Sequence, residues 1–145
     1  MTAAVANALA AAPMLVYDGD CAFCSRSVQF ILRHDRRRTV RFAARDGVAG
    51  RAVRQRHPEL LQVDSLIWVE THNGQERPLV RSDSVLAIAS YLGGGFGVLG
   101  RLGRLIPRVL RDVGYGLIAR FRRRLAFGGE ACVIFTTDER ARVLG

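Results

Sequence analysis

The chain holds 145 residues, 49% hydrophobic and 24% charged, which suits one domain with its own core and excludes extended disorder. Its 22 basic residues, all arginine, face 13 acidic ones, and the resulting net charge of +9 raises the question of an anionic partner. Three cysteines are too few for a disulfide-stapled secreted scaffold and fit a reducing, cytoplasmic setting with one working pair and one spare thiol.

Residues 1–13 are alanine-rich and carry no basic residue, the first being Arg26, so a flexible tail is expected rather than a cleaved signal. No run of about 20 apolar residues occurs, and no membrane span is expected. Met14-Leu15-Val16-Tyr17 reads as a buried strand. Helical spacing of Phe23, Val28, Ile31 and Leu32 predicts a helix over 22–33, with Arg33, Arg36, Arg37 and Arg38 at its C-terminal end, where cations complement the dipole. Residues 39–43 alternate as a second strand, with Val40 and Phe42 on one side. A short basic helix over 50–56 ends at His57-Pro58. A third strand over 63–70, the Asn73-Gly74 turn and a returning strand over 77–80 make a hairpin, and Pro78 marks the edge.

Ser82-Asp83-Ser84 reads as the N-cap region of a helix that runs to Leu92 and stops at Gly93-Gly94-Gly95. Over 99–124, Arg101, Arg104, Arg108 and Arg111 recur at helical spacing. Leu102, Leu105, Ile106, Val109, Leu110 and Val113 take the opposite face. The expectation is a helical lid broken near Pro107, its second piece over 113–125, packing its apolar face on the core. The alternative is a surface that meets anionic lipid or an acidic partner, making the protein membrane-peripheral. Specific nucleic-acid binding is not expected, since no recognition module is visible. In the tail, Cys132 reads as an apolar filler in preference to a third redox thiol.

Cys21 and Cys24 stand three residues apart where the first strand gives way to the first helix. Partial positive charge and free N–H groups at a helix start stabilise a thiolate, so a thiol there is reactive. Cys21 would attack, and Cys24, one helical turn further in, would close the disulfide. A zinc site needs two more ligands, and only Cys132, His34, His57 and His72 remain, scattered. A soft ion such as Cu(I) held by Cys21 and Cys24, with Cys132 as a third ligand, is the other reading of the pair. Neither a metal nor a cofactor is expected in the first reading. Asp18 serves either as a proton relay or as a turn cap, and Asp20 as an N-cap or an exposed residue.

The order of elements predicts an α/β architecture: a mixed sheet flanked by helices, with its first two strands parallel, and a C-terminal helical extension. The expected division is a tail over 1–13, a core over 14–92, a basic helical extension packed on it over 93–130, and an arm over 131–145. With Cys-x-x-Cys after the first strand, the order resembles the thioredoxin and glutaredoxin fold. Tyr17-Asp18-Gly19-Asp20-Cys21-Ala22-Phe23-Cys24 is similar to the signature of the DCC-type thiol-disulfide oxidoreductases. The resemblance continues through Phe42-Ala43, Ser65-Leu66-Ile67-Trp68-Val69, Arg81-Ser82-Asp83-Ser84-Val85-Leu86 and Arg111-Asp112 to Phe127-Gly128. It implies a site of Asp18, Cys21 and Cys24 and a disulfide- or thiol-containing protein or small thiol as partner. One departure from the wider thioredoxin pattern is that Asp64-Ser65 stands where a cis-proline is expected.

Overall fold

The computed structural model describes residue 3 and residues 12–18, 22–63, 66–125 and 136–144, with the backbone alone at helical positions 22–25, 119, 122–125 and 138. The described strands form one mixed sheet in the order β4-β3-β1-β2-β5. Central β1 (Met14–Tyr17) runs parallel to β2 (Arg41–Ala44) and antiparallel to β3 (Ile67–His72). Strand β4 (Gln75–Leu79) pairs antiparallel with β3, and β5 (Val143–Leu144) adds to the far edge parallel to β2.

All four residues of β1 are buried because helices cover both faces of the sheet. Leu15 and Tyr17 point to one side. There, with Phe42 and Trp68, they meet Val28 and Ile31 of α1 (Ala22–His34) and Ile88 of α3 (Arg81–Leu92). Met14 and Val16 point to the other side. With Ala43 and Ile67 they meet Val53 of α2 (Val48–Arg56) and Leu60 of the 3-10 turn Pro58–Gln62. The β1–α1–β2 crossover and the helix-covered mixed sheet are those of a thioredoxin-like α/β fold.

Three backbone features fix local geometry. Asn73 and Gly74 both take positive φ, 51° and 77°, as a two-residue hairpin turn requires. Pro78 lies on edge strand β4, opposite Val69, where a missing N–H costs least. At Gly50 an added Cβ would lie 2.1 Å from the Ala44 carbonyl oxygen and 2.7 Å from that of Arg45, so α2 rests directly on the end of β2.

Asp35 follows α1 and is fully buried at its side chain. Its carboxylate accepts the backbone N–H of Arg38 at 3.0 Å and of Val40 at 3.2 Å, and the Tyr91 hydroxyl at 2.9 Å. The Arg142 guanidinium supplies the counter-charge and also donates from Nε to the Val40 carbonyl at 2.9 Å. Burial, reinforced by Asp35, raises the Tyr91 hydroxyl above its ordinary pKa, so it remains a donor.

Three expectations need correction. Strands β2, β3 and β4 begin and end a few residues from where alternation alone puts them, because β1 pairs with Arg41–Ala44 and Ile67–Val69, and β4 carries β3 on to His72. Ser82-Asp83-Ser84 does not cap α3. The helix starts at Arg81 with Val80 before it and no side-chain cap. Ser84 donates instead to the Arg81 carbonyl at 2.7 Å, while Ser82 and Asp83 reach across to the next helical layer.

That layer holds the largest difference. Gly93 closes α3 with φ +69°, but Gly94 at once opens α4 (Gly94–Arg104), and α5 (Arg108–Leu125) begins directly after Pro107. The expected lid buries its apolar face, whereas here that face is turned outward, with Leu105 80% and Val109 74% exposed. The inward face is made of small and charged residues. Gly100 approaches Ala89 and Ser90 so closely that an added Cβ would sit 3.3 Å and 3.1 Å from their side chains, and Gly103 faces Leu86. Arg108 and Arg111 reach Asp83. Of the expected arm over 131–145, the described part holds α6 (Thr137–Arg140), capped by Thr136 and Glu139, and β5. Cys132 lies outside the described residues, as does most of the tail over 1–13.

Two measurements check this account. Asp35→Asn removes the charge that Arg142 pairs with in a buried site, and should cost about 3 kcal/mol in urea unfolding; an unchanged midpoint would strip Asp35 of its role. Glu76 joins β4 to α2 through Arg56 at 2.9 Å and His57 at 2.9 Å. Burial alone would raise its pKa, but the hydrogen bonds and charges of Arg56 and His57 outweigh this and hold it below the ordinary value for a glutamate. A depressed carboxyl stabilises the fold above its unfolded pKa and loses that contribution as pH falls through its folded pKa. Glu76→Gln should therefore narrow its stability gap to the parent, about 1 kcal/mol or less, as pH drops below about 4.5.

Candidate active site at the carboxyl end of the central strand

In a sheet with parallel neighbours, groups that do chemistry gather where strands end and helices begin. Here β1 ends at Tyr17 and α1 begins at Ala22, so the connection is confined to residues 18–21. Cys24 lies in the first turn of α1, the end at which backbone N–H groups lack helical partners. Cys21, with Gly19 and Asp20, lies outside the described residues. Helix α1 carries no acidic residue in its first turn, so no helical carboxylate there offsets the dipole.

Asp18 directly follows β1, and its carboxylate lies 3.6 Å from the Arg45 guanidinium, both side chains about one-quarter exposed. The pairing follows from register. Tyr17 is the parallel partner of Ala44, so the next residue of each strand, Asp18 and Arg45, stand side by side. The Arg45 N–H donates to the Tyr17 carbonyl at 2.7 Å and continues the ladder by one bond. Arg45, which lies between the expected strand over 39–43 and the expected helix over 50–56, therefore belongs to this neighbourhood; the clue is its position one step past the strand that pairs with β1.

Strand β4, like β1, runs antiparallel to β3, so α3 starts at the same end of the sheet as α1. There Arg81-Ser82-Asp83-Ser84 and Arg111-Asp112, far apart in sequence, meet. Ser82 Oγ donates to Asp112 at 2.5 Å, Arg111 reaches Asp83 at 3.3 Å, and Arg108 reaches Asp83 at 3.2 Å. This polar clamp joins α5 to the start of α3, and α5 also touches α1. A groove of about 1160 Å³ runs along α3 from Asp83 to Tyr91, floored by Trp68 and Leu79. Asp18 does not line it. Among the described residues no peptide bond is cis; Asp64 and Ser65 lie outside them.

Comparison with known proteins bears on this arrangement. The family model described as DCC1-like thiol-disulfide oxidoreductase matches residues 15–127. A chloroplastic DCC family protein of Arabidopsis thaliana is 29% identical over 121 residues, covering 83% of this chain and 68% of that protein. No solved structure matches. The matched span runs from β1 through the clamp and α5, and on it the chain belongs to the DCC1-like thiol-disulfide oxidoreductase family, a family named for a thiol–disulfide redox role.

Proposed function

We propose that the protein exchanges a Cys21–Cys24 dithiol with a disulfide or thiol in a protein or small-molecule partner. The observation that carries this is the start of α1 at Ala22, directly behind Cys21 in sequence and with Cys24 on its first turn, at the end of a central strand. A thiol at a helix N-terminus is shifted below the ordinary cysteine pKa of about 8.5 and is nucleophilic near neutral pH. Membership of the family supports the same chemistry.

In the reducing direction the Cys21 thiolate attacks one sulfur of the partner disulfide. A mixed disulfide forms and the other sulfur leaves as a thiolate that takes up a proton. Cys24 then loses its proton and attacks Cys21, the second partner sulfur leaves, and the Cys21–Cys24 bridge remains. Two electrons and two protons pass to the partner in all; the oxidising direction is the reverse.

Asp18 has two tasks that its surroundings support. A carboxylate beside the pair would oppose a thiolate by like-charge repulsion, and Arg45 offsets that repulsion. The same carboxylate accepts the Cys24 proton in the second step. Arg45 thus lets a proton acceptor stand near a nucleophile that must carry negative charge.

A titration in glutathione or dithiothreitol buffers, read by thiol alkylation and mass spectrometry, should give one reversible two-electron transition between roughly −270 and −120 mV. A pair reduced throughout that range would end the proposal. Cys21→Ser should abolish exchange, and Cys24→Ser should accumulate a mixed disulfide; full exchange by Cys21→Ser would contradict the assignment. For Asp18→Asn, resolution of the mixed disulfide should slow roughly a hundredfold while alkylation of Cys21 is as fast or faster. An unchanged resolution rate would leave Asp18 a structural residue.

A further inference from the structure

Helices α4 and α5 turn to solvent the kind of face that folding ordinarily hides. Of the fifteen large apolar side chains exposed among the described residues, eleven lie between Val98 and Phe121. On α5 the spacing of Val109, Val113 and Leu117 makes a continuous stripe, each at least half exposed, and Leu99, Leu102 and Leu105 continue it over α4 and the turn. The inward face is met by Gly100, Gly103 and the Asp83 clamp, and among the described residues the stripe stays exposed. An apolar surface of this extent on a single chain marks an interaction site.

Charge narrows the occupant. From Gly94 to Leu125 the sequence holds eight arginines and one acidic residue, Asp112. A second copy would bring two such basic layers together, which like-charge repulsion opposes. A partner must therefore be both apolar and negative. The surface runs over two consecutive helices, the longer of 18 residues or about 27 Å, and the Arg101, Arg104, Arg108 and Arg120 side chains on them are exposed. No helix of the described residues is long and apolar enough to cross a membrane. We infer that the α4–α5 face lies in the surface of an anionic lipid bilayer, its aliphatic stripe among the acyl chains and its guanidinium groups at the phosphates.

This placement is independent of the thiol chemistry, and its test leaves the cysteines untouched. The full chain is floated with vesicles of phosphatidylcholine and phosphatidylglycerol, and with phosphatidylcholine alone. Binding should require phosphatidylglycerol and weaken with salt. Leu105→Glu and Val109→Glu, both at solvent-facing positions, should each reduce partitioning roughly tenfold while thermal unfolding stays unchanged. In a Val109→Trp variant, brominated lipids should quench the new indole and leave Trp68, 1% exposed in the core, unaffected. Three results would overturn the inference. One is no flotation with phosphatidylglycerol vesicles, which would turn the face over to a protein partner. Another is flotation indifferent to both glutamate variants and without quenching, which would reduce the contact to charge. The third is sedimentation as a dimer that either glutamate variant dissolves, which would assign the stripe to a second copy.

Discussion

A buried carboxylate with no room for error holds the crossover of this fold. Asp35 sits where α1 ends and the chain turns toward β2, and it gathers two backbone N–H groups, a phenol and a guanidinium from three other parts of the chain. Taking such a charge out of water is costly unless every lone pair is engaged. The site therefore rewards one arrangement of α1, β2, α3 and the residues before β5, and penalises any slip among them. Because α1 is anchored at this end and by Val28 and Ile31 in the core, its other end has little freedom in where it points.

That other end carries the proposed site. A helix held at its C-terminus directs its N-terminal N–H groups, and Cys24 with them, to the edge where β1 stops. The parallel register of β1 and β2 then delivers Arg45 to Asp18. Gly50 fixes the same corner from the opposite face by allowing α2 to rest on the carbonyls of Ala44 and Arg45. Packing on both sides of the sheet thus converges on Asp18 and Arg45, next to the connection that holds the proposed site.

Much of this was legible in the chain. The β1 run, the Asn73-Gly74 turn and edge Pro78 each carry a local signal with one structural solution, and the Cys-x-x-Cys motif announces a helix start. Asp35 was hidden among arginines, because nothing local tells a buried carboxylate from a solvated one when its counter-ion, Arg142, lies so far along the chain. Ser82 and Asp83 look like caps since their side chains are suited to that task; in the fold they bond to Asp112 and to arginines of α5. The apolar stripe placed a helix on each side of Pro107, though it began the second at 113 instead of Arg108, and it gave the wrong side. Periodicity locates a face but does not say whether the core or solvent meets it. Gly100 and Gly103, three apart, held the missing information, since small residues mark the side on which another helix comes close.

The short strand β5 carries a consequence for how the molecule assembles. Its pairing with β2 joins residues 101 positions apart in sequence, and the Arg142 bond to Val40 joins residues 102 apart. Such contacts form late, because a long loop must close before they reward it. Until then β2 is an open sheet margin next to a carboxylate lacking its cation, and an open margin invites strands from neighbouring chains. The slow step of folding and the moment of greatest risk of aggregation are thus the same event: the return of the chain's last described residues to the sheet.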